Sequence, residues 1–151
     1  MADQLVPDDF VVPTGLITER FRLEPLGPEH NESDHTAWTS SIDHVRVTPG
    51  FPYGDWPPLS GMTLEANLAD LQGHARDFAR RTGFTYTVLE AEDGEVIGCV
   101  YIYPSRTPGF DTEVRCWVRA DRAELDGPLA KAVEGWLSSE WRLGSIDFRG
   151  R

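Results

Sequence analysis

Apolar and polar positions change period several times along the chain, and each change predicts an element. Phe21-Arg22-Leu23-Glu24-Pro25-Leu26 alternates, the period of a strand with one buried face, and Gly27-Pro28 ends it. Over residues 33–45, Trp38, Ile42 and Val45 return at helical spacing, with Ser33 or Asp34 placed to cap the start. The clearest helix runs from a Thr63 cap to about Thr82. Leu64, Leu68, Leu71, Ala75 and Phe78 form its apolar stripe, and Glu65, Asp70, Arg76, Asp77, Arg80 and Arg81 its polar face. Gly83 is placed as its C-terminal cap. Three strands follow: residues 84–89, rich in β-branched and aromatic side chains; residues 96–103, nearly apolar throughout, as a central strand is; and Thr112–Val118. Glu92-Asp93-Gly94-Glu95 reads as the hairpin turn between the first two. Folding the second pair about residues 107 and 108 sets Cys99 opposite Cys116 as two buried thiols. A last helix is capped by Asp126, with Gly127 and Pro128 in its first turn and Leu129, Val133, Trp136, Leu137 and Trp141 on its apolar face. Gly144 stops it, and Ser145-Ile146-Asp147-Phe148 is a short final strand.

Two stretches lack either period. Residues 1–20, rich in Pro, Asp and Gly, read as a loosely packed, extended lead-in to one domain over residues 21–151, with Phe10, Val11 and Val12 as a candidate edge strand. Residues 48–58 interleave Phe51, Tyr53 and Trp56 with Pro and Gly. Aromatics on such a loop have two readings: they line a binding cleft, or they pack back on the core.

Composition narrows the function. The chain has 151 residues and 14 Lys plus Arg against 25 Asp plus Glu, a net charge of −11. That balance argues against tracking nucleic-acid phosphates and against docking on an anionic membrane. Every basic residue except Lys131 is Arg. Cys99 and Cys116 form no CxxC pair and no disulfide framework. No leader-like start and no apolar run near the roughly 20 residues of a bilayer span is visible, so the expectation is a cytoplasmic protein. Nucleophile-elbow, Walker, GxGxxG, HExxH and EF-hand patterns are missing. His30 and His35 share a stretch with Glu32 and Asp34, but the spacing is not that of metal ligands, and it reads as a solvated helix start. No metal site is expected.

The element order is strand, helix, helix, three strands, helix, strand. Phe21-Arg22-Leu23-Glu24-Pro25-Leu26, then Gly94-Glu95-Val96-Ile97-Gly98-Cys99-Val100, then Glu113-Val114-Arg115-Cys116-Trp117-Val118-Arg119-Ala120-Asp121 follow one another in that order. Over about residues 20–148 this resembles the GNAT N-acetyltransferase superfamily, in its opening strand, its hairpin into the third strand and its fourth strand. The resemblance implies an α/β (α+β) fold: a mixed, mostly antiparallel central sheet with helices on both faces, here without the family's last helix and strands. It implies acetyl-CoA as co-substrate between splayed fourth and fifth strands. Trp117, Val118 and Arg119 would meet the pantetheine arm, and Arg122, Leu125, Asp126 and Gly127 the pyrophosphate. The loop before the last helix departs from the family's glycine-rich form, with one Gly, Glu124 and Asp126, and Pro128 lacking an amide donor. The implied reaction is acetyl transfer to a small amine, with Glu113 as base and Tyr103 as proton donor; a surface carboxylate and a packed strand tyrosine are the plainer readings. Phe51, Tyr53 and Trp56 would line the acceptor site. A non-catalytic GNAT-like module binding a ligand or partner through that loop is the alternative. A homodimer covering the open sheet edge is a further expectation.

Overall fold

The computed structural model describes residues 3–52 and 54–151; Tyr53 lies outside the described residues. Six strands form one sheet in chain order: β1 (Leu16–Ile17), β2 (Phe21–Pro25), β3 (Phe84–Glu90), β4 (Val96–Pro104), β5 (Thr112–Val118) and β6 (Ile146–Phe148). All neighbours are antiparallel except β5 and β6, which run parallel. α4 (Asp126–Glu140) makes the crossover that a parallel pair requires. α1 (Asn31–Thr39), α2 (Ile42–Arg46) and α3 (Leu64–Arg80) supply the other helices. The sheet is therefore mixed and mostly antiparallel, as expected.

The two faces of the sheet carry separate cores. On one, Phe84, Tyr86, Val88, Val100, Ile102, Val114, Cys116 and Val118 pack against Leu129, Val133, Trp136 and Leu137 of α4. On the other, Cys99 and Trp117 pack with Ala37 and Trp38 of α1, Val45 of α2, Leu71 of α3 and Phe51. Tyr86, Trp136 and Trp141 stack edge to face, with ring centres 5.1–6.2 Å apart.

Several expectations need correction. β4 and β5 pair about residue 108, so Val100 faces Cys116 and Cys99 faces Trp117. A one-residue shift moves a side chain to the other face, and the two thiols lie in different cores. The first helix is two helices. Ser41 leaves helical geometry (φ −134°), and its hydroxyl accepts the Ala120 amide at 2.8 Å, tying the break to the exit of β5. Neither Ser33 nor Asp34 caps α1, which starts at Asn31 after a 3-10 turn over Pro28–His30. α3 has its Thr63 cap (Ala66 N–H to Oγ1, 3.1 Å), but the left-handed residue at its end is Arg81, φ 63°. Gly83 has another role: a Cβ there would lie 2.3 Å from the Tyr103 ring. Asp126 is the first helical residue of α4 and makes no capping bond. The lead-in is packed, not loose. Val6 is buried, Tyr86 Oη donates to the Pro13 carbonyl, and the Arg81 guanidinium donates to the carbonyls of Pro7 (2.6 Å) and Phe10 (2.8 Å). Residues 10–12 form no strand; β1 is the edge.

Candidate active site

A cavity of about 620 Å³ lies on the α1–α3 face of the sheet. The inward edge of α3 builds one wall. Its buried positions are Asn67 and Leu71, with His74 and Asp77 half-buried one turn apart beyond them. The apolar stripe in the sequence pointed slightly away from this edge: Leu64 is 45% exposed, whereas Asp70 and Asp77, expected on the solvent face, line the cavity.

Asn67 ties α3 to α1. Its Oδ1 accepts Trp38 Nε1–H at 2.9 Å, and its Nδ2 donates to Asn31 Oδ1 (2.8 Å) and Asp34 Oδ2 (3.1 Å). Asp34 is 4% exposed and lines the cavity. Burial raises its pKa to about 6, against the opposing pull of the Asn67 hydrogen bond and of His30 and His35. His30 and His35 do not converge on a metal with it: His30 Nδ1 accepts the Gly27 amide, and His35 Nε2 meets the Met62 carbonyl.

The second cluster joins α3 to β3 and β4. Tyr103 Oη donates to Asp77 Oδ2 at 2.8 Å, and His74 Nδ1 lies 2.9 Å from the same Oη and 3.0 Å from Thr85 Oγ1. The Tyr103 proton goes to Asp77, so the proton of the second contact must come from the imidazole. Nδ1 is then the protonated nitrogen and Nε2 carries a lone pair. Among the described residues Nε2 has no hydrogen-bond partner, and His74 lines the cavity. Burial lowers the His74 pKa despite Asp70 and Asp77, so the ring is neutral at pH 7. Tyr103, expected as proton donor, is thus the link between Asp77 and His74, and burial pushes its pKa well up.

Glu113 is differently placed from what a base needs. It lines the cavity, but its side chain is 6% exposed and grips Arg106 through the Arg106 amide (3.1 Å), Nε (3.4 Å) and a terminal nitrogen (3.1 Å). Arg149 adds a contact at 3.6 Å. Burial alone would raise its pKa; the arginines outweigh that and hold it below the usual range. Its lone pairs are committed and its proton affinity is low, which removes it as a base. Of the loop aromatics, Phe51 is 2% exposed and stacks on Trp56 and Tyr101, while Trp56 lines the cavity and touches Trp38, Tyr101 and Trp117. Phe51 is thus core, whereas Trp56 is partly buried and presents an edge to the cavity.

Beside this cavity the sheet opens. Thr112 N–H donates to Ser145 O and Arg149 N–H to Val114 O, both at 3.0 Å, and the β5–β6 ladder ends there. The alternation along β5 makes Cys116 and Val118 the next residues to turn backbone groups to that side, whereas Trp117 turns its own to β4. Arg119 N–H is likewise spent on Ile97 O at 2.8 Å. Past the ladder, Arg151 reaches across: its guanidinium meets Cys116 O at 3.3 Å and forks onto Asp126 at 2.8 and 2.9 Å.

Solved structures that superpose on this chain include acetyltransferases. A ribosomal-protein-S5-alanine acetyltransferase from Vibrio fischeri superposes with TM-score 0.64 and 14% identity over 83% of this chain and 67% of that one. The chain has the GNAT fold. A GNAT-family acetyltransferase structure from Bordetella pertussis matches with TM-score 0.60 and 20% identity over 83% of this chain and 71% of that one. The microcin C7 self-immunity acetyltransferase MccE, in complex with acetyl-CoA and AMP, matches with TM-score 0.60 and 10% identity over 89% and 73%. No protein-family model and no curated protein matches the chain. No helix among the described residues is long and apolar enough to cross a membrane.

β6 ends at Phe148, so β5 beyond Val114 faces no strand on that side among the described residues. The two arginines expected along the co-substrate, Arg119 at its pantetheine arm and Arg122 at its pyrophosphate, are held elsewhere. Arg119 forks onto Asp121 (2.9 and 3.0 Å) and reaches Glu95 (3.0 Å), and Arg122 pairs with Glu90 (3.0 Å). Leu125 is buried beside α4, and Gly127 stands in open space. The cation at the start of α4 is Arg151.

Proposed function

We propose that the chain is an acetyl-CoA-dependent N-acetyltransferase that acetylates a small amine in the α1–α3 cavity. The observation that carries this is a juxtaposition: the β5–β6 ladder stops beside a cavity holding a neutral imidazole with a free ring nitrogen. The residues along this edge of β5 suit the co-substrate. Backbone groups of Cys116 and Val118 that pair with no strand favour an amide-bearing arm, once Arg151 leaves the Cys116 carbonyl, and the Gly127 amide and Arg151 guanidinium at the α4 start favour phosphate. Bound there, acetyl-CoA supplies the acetyl thioester.

The chain's own residues do the rest. Asp34, Asp70 and Asp77 make the cavity anionic and draw in an ammonium. His74 Nε2 accepts a proton from the amine as it becomes nucleophilic. Asp77, through Tyr103, holds Nδ1–H and offsets the charge that His74 then carries. A lowered His74 pKa keeps this base unprotonated to a lower pH than an ordinary histidine.

Several neighbours, the Vibrio fischeri structure among them, are described as acting on ribosomal proteins, which makes a protein N-terminus the competing acceptor. Thiol release from acetyl-CoA, followed with small amines and with N-terminal peptides, separates the two. Small amines are expected to turn over, and His74→Gln is expected to lower kcat by about 10²- to 10⁴-fold without unfolding. No thiol release with any acceptor would overturn the assignment.

A further inference from the structure

We infer that the amine also carries a carboxylate, and that Arg115 is the residue that reads it; this rests on the acetyltransferase reading above. Arg115 sits on β5, lines the cavity and is half-buried. The other arginines around the site are matched: Arg106 and Arg149 with Glu113, Arg119 with Asp121 and Glu95, Arg122 with Glu90, Arg151 with Asp126. Arg115 has neither an ion pair nor a hydrogen bond among the described residues. Its guanidinium lies over the rings of Phe51 (4.9 Å) and Tyr101 (5.5 Å), which hold the plane still and leave its donors unused.

That is a costly arrangement in a chain with 25 carboxylates for 14 cations. A half-buried guanidinium without acceptors is stabilised when a matching oxygen pair arrives. None of the cavity's carboxylates pairs with it: Asp34 is held by Asn67, Asp77 by Tyr103 and Glu113 by Arg106, and Asp55 and Asp70 make no ion pair with Arg115. One uncompensated positive charge fits a monoanion, and its fork fits a carboxylate.

The same ring fixes the second pole. His74 lies 5.7 Å from the Tyr101 ring centre and Arg115 5.5 Å from it, so the base and the unpaired cation flank one tyrosine. A ligand with its amine at His74, Asp70 and Asp77 and its carboxylate at Arg115 lies across that ring. The acceptor is thus an amino acid or a similarly short zwitterion, in which the acidic wall selects the amine and Arg115 the acid.

Calorimetry without acetyl-CoA tests this. The probes are glycine, β-alanine, 4-aminobutyrate and 6-aminohexanoate, each against the alkylamine lacking the carboxylate, with an aminoalkylphosphonate as the dianionic arm. At least one amino acid is expected to bind about 10- to 100-fold tighter than its matched amine, and tighter than the phosphonate. In Arg115→Met that advantage is expected to fall to about twofold or less while plain-amine affinity stays, with Arg115→Lys restoring part of it. Equal binding of amine and amino acid to the wild-type protein overturns the inference without needing any variant, as does an advantage that survives in Arg115→Met. Thiol release with plain amines and no preference for the zwitterion would sink this inference and leave the acetyltransferase reading. Zwitterion binding without thiol release would do the reverse.

Discussion

Replacing Asp34 by Asn removes a charge that the fold holds at a cost. The side chain is 4% exposed, and its pKa stands at about 6 against an ordinary 3.8. A difference near two units is worth about 3 kcal/mol between the protonation states. The sign follows from the direction. A carboxyl with a raised folded pKa favours the folded state below pH 3.8, and that advantage drains away as pH rises through about 6. Asn keeps the shape and escapes this loss. The shift to about 6 already includes the opposing Asn67 bond, so the gain above pH 6 is about 3 kcal/mol. For a chain this size that is about 6–12 °C in Tm. Thermal unfolding followed by circular dichroism from pH 4 to 8 reads it directly. Asp34→Asn is expected to match the wild type near pH 4, to gain steadily to pH 6, and to hold a constant lead beyond. Its affinity for the amine should drop as its stability rises, the trade expected where a site is kept polar for function. A stability difference that is flat across the whole range, or that shrinks as pH rises, would refute the burial argument.

Other substitutions probe the remaining parts. Glu113→Gln should leave acetyl transfer largely intact while costing about 1–3 kcal/mol from pH 6 to 8, because Arg106 and Arg149 lose their charged acceptor. With its pKa held low, that cost should fade only as pH drops below the ordinary 4.5; loss of turnover at full stability would return Glu113 to the role of base. Gly83→Ala drives a Cβ to 2.3 Å from the Tyr103 ring, so kcat and Tm should fall together, by about 1–3 kcal/mol in stability. Arg151→Met should weaken acetyl-CoA binding by about 10- to 100-fold in calorimetry, while Asp126→Asn, which frees the same guanidinium, should strengthen it. Identical affinities in both variants would mean that Arg151 does not meet the phosphates.

Period carries the sheet well in this sequence and carries the site poorly, for physical reasons. Alternation at residues 21–26, the β-rich stretch at 84–118 and the helix spacing after 126 all respond to burial, which the sequence records. Register does not leave such a mark. A turn centred half a residue away is invisible in composition, yet it placed Cys99 and Cys116 on different faces. The site sits where the two signals conflict. Asn67, Asp70, His74 and Asp77 are polar, so a hydrophobic stripe assigns them outward; they face a polar cavity. Spacing of 3, 4 and 3 from Asn67 to Asp77 could have exposed this edge had polar residues been read for helical periodicity as the apolar ones were. Glu113 drew attention as a strand carboxylate, but its partners Arg106 and Arg149 are 7 and 36 residues away, and pairing over such distances follows only from the fold. Arg115 stood in plain view between them. What distinguishes it is the acceptor it lacks, and that is a property of space.

Titration of acetyl-CoA into the 151-residue chain, followed by calorimetry, tests the account at its centre. A saturable, single-site heat that shrinks in Arg151→Met is the expected result, since the proposed co-substrate site is made by the β5 backbone edge at Cys116 and Val118 and the cation at the start of α4. No heat up to millimolar acetyl-CoA would contradict it.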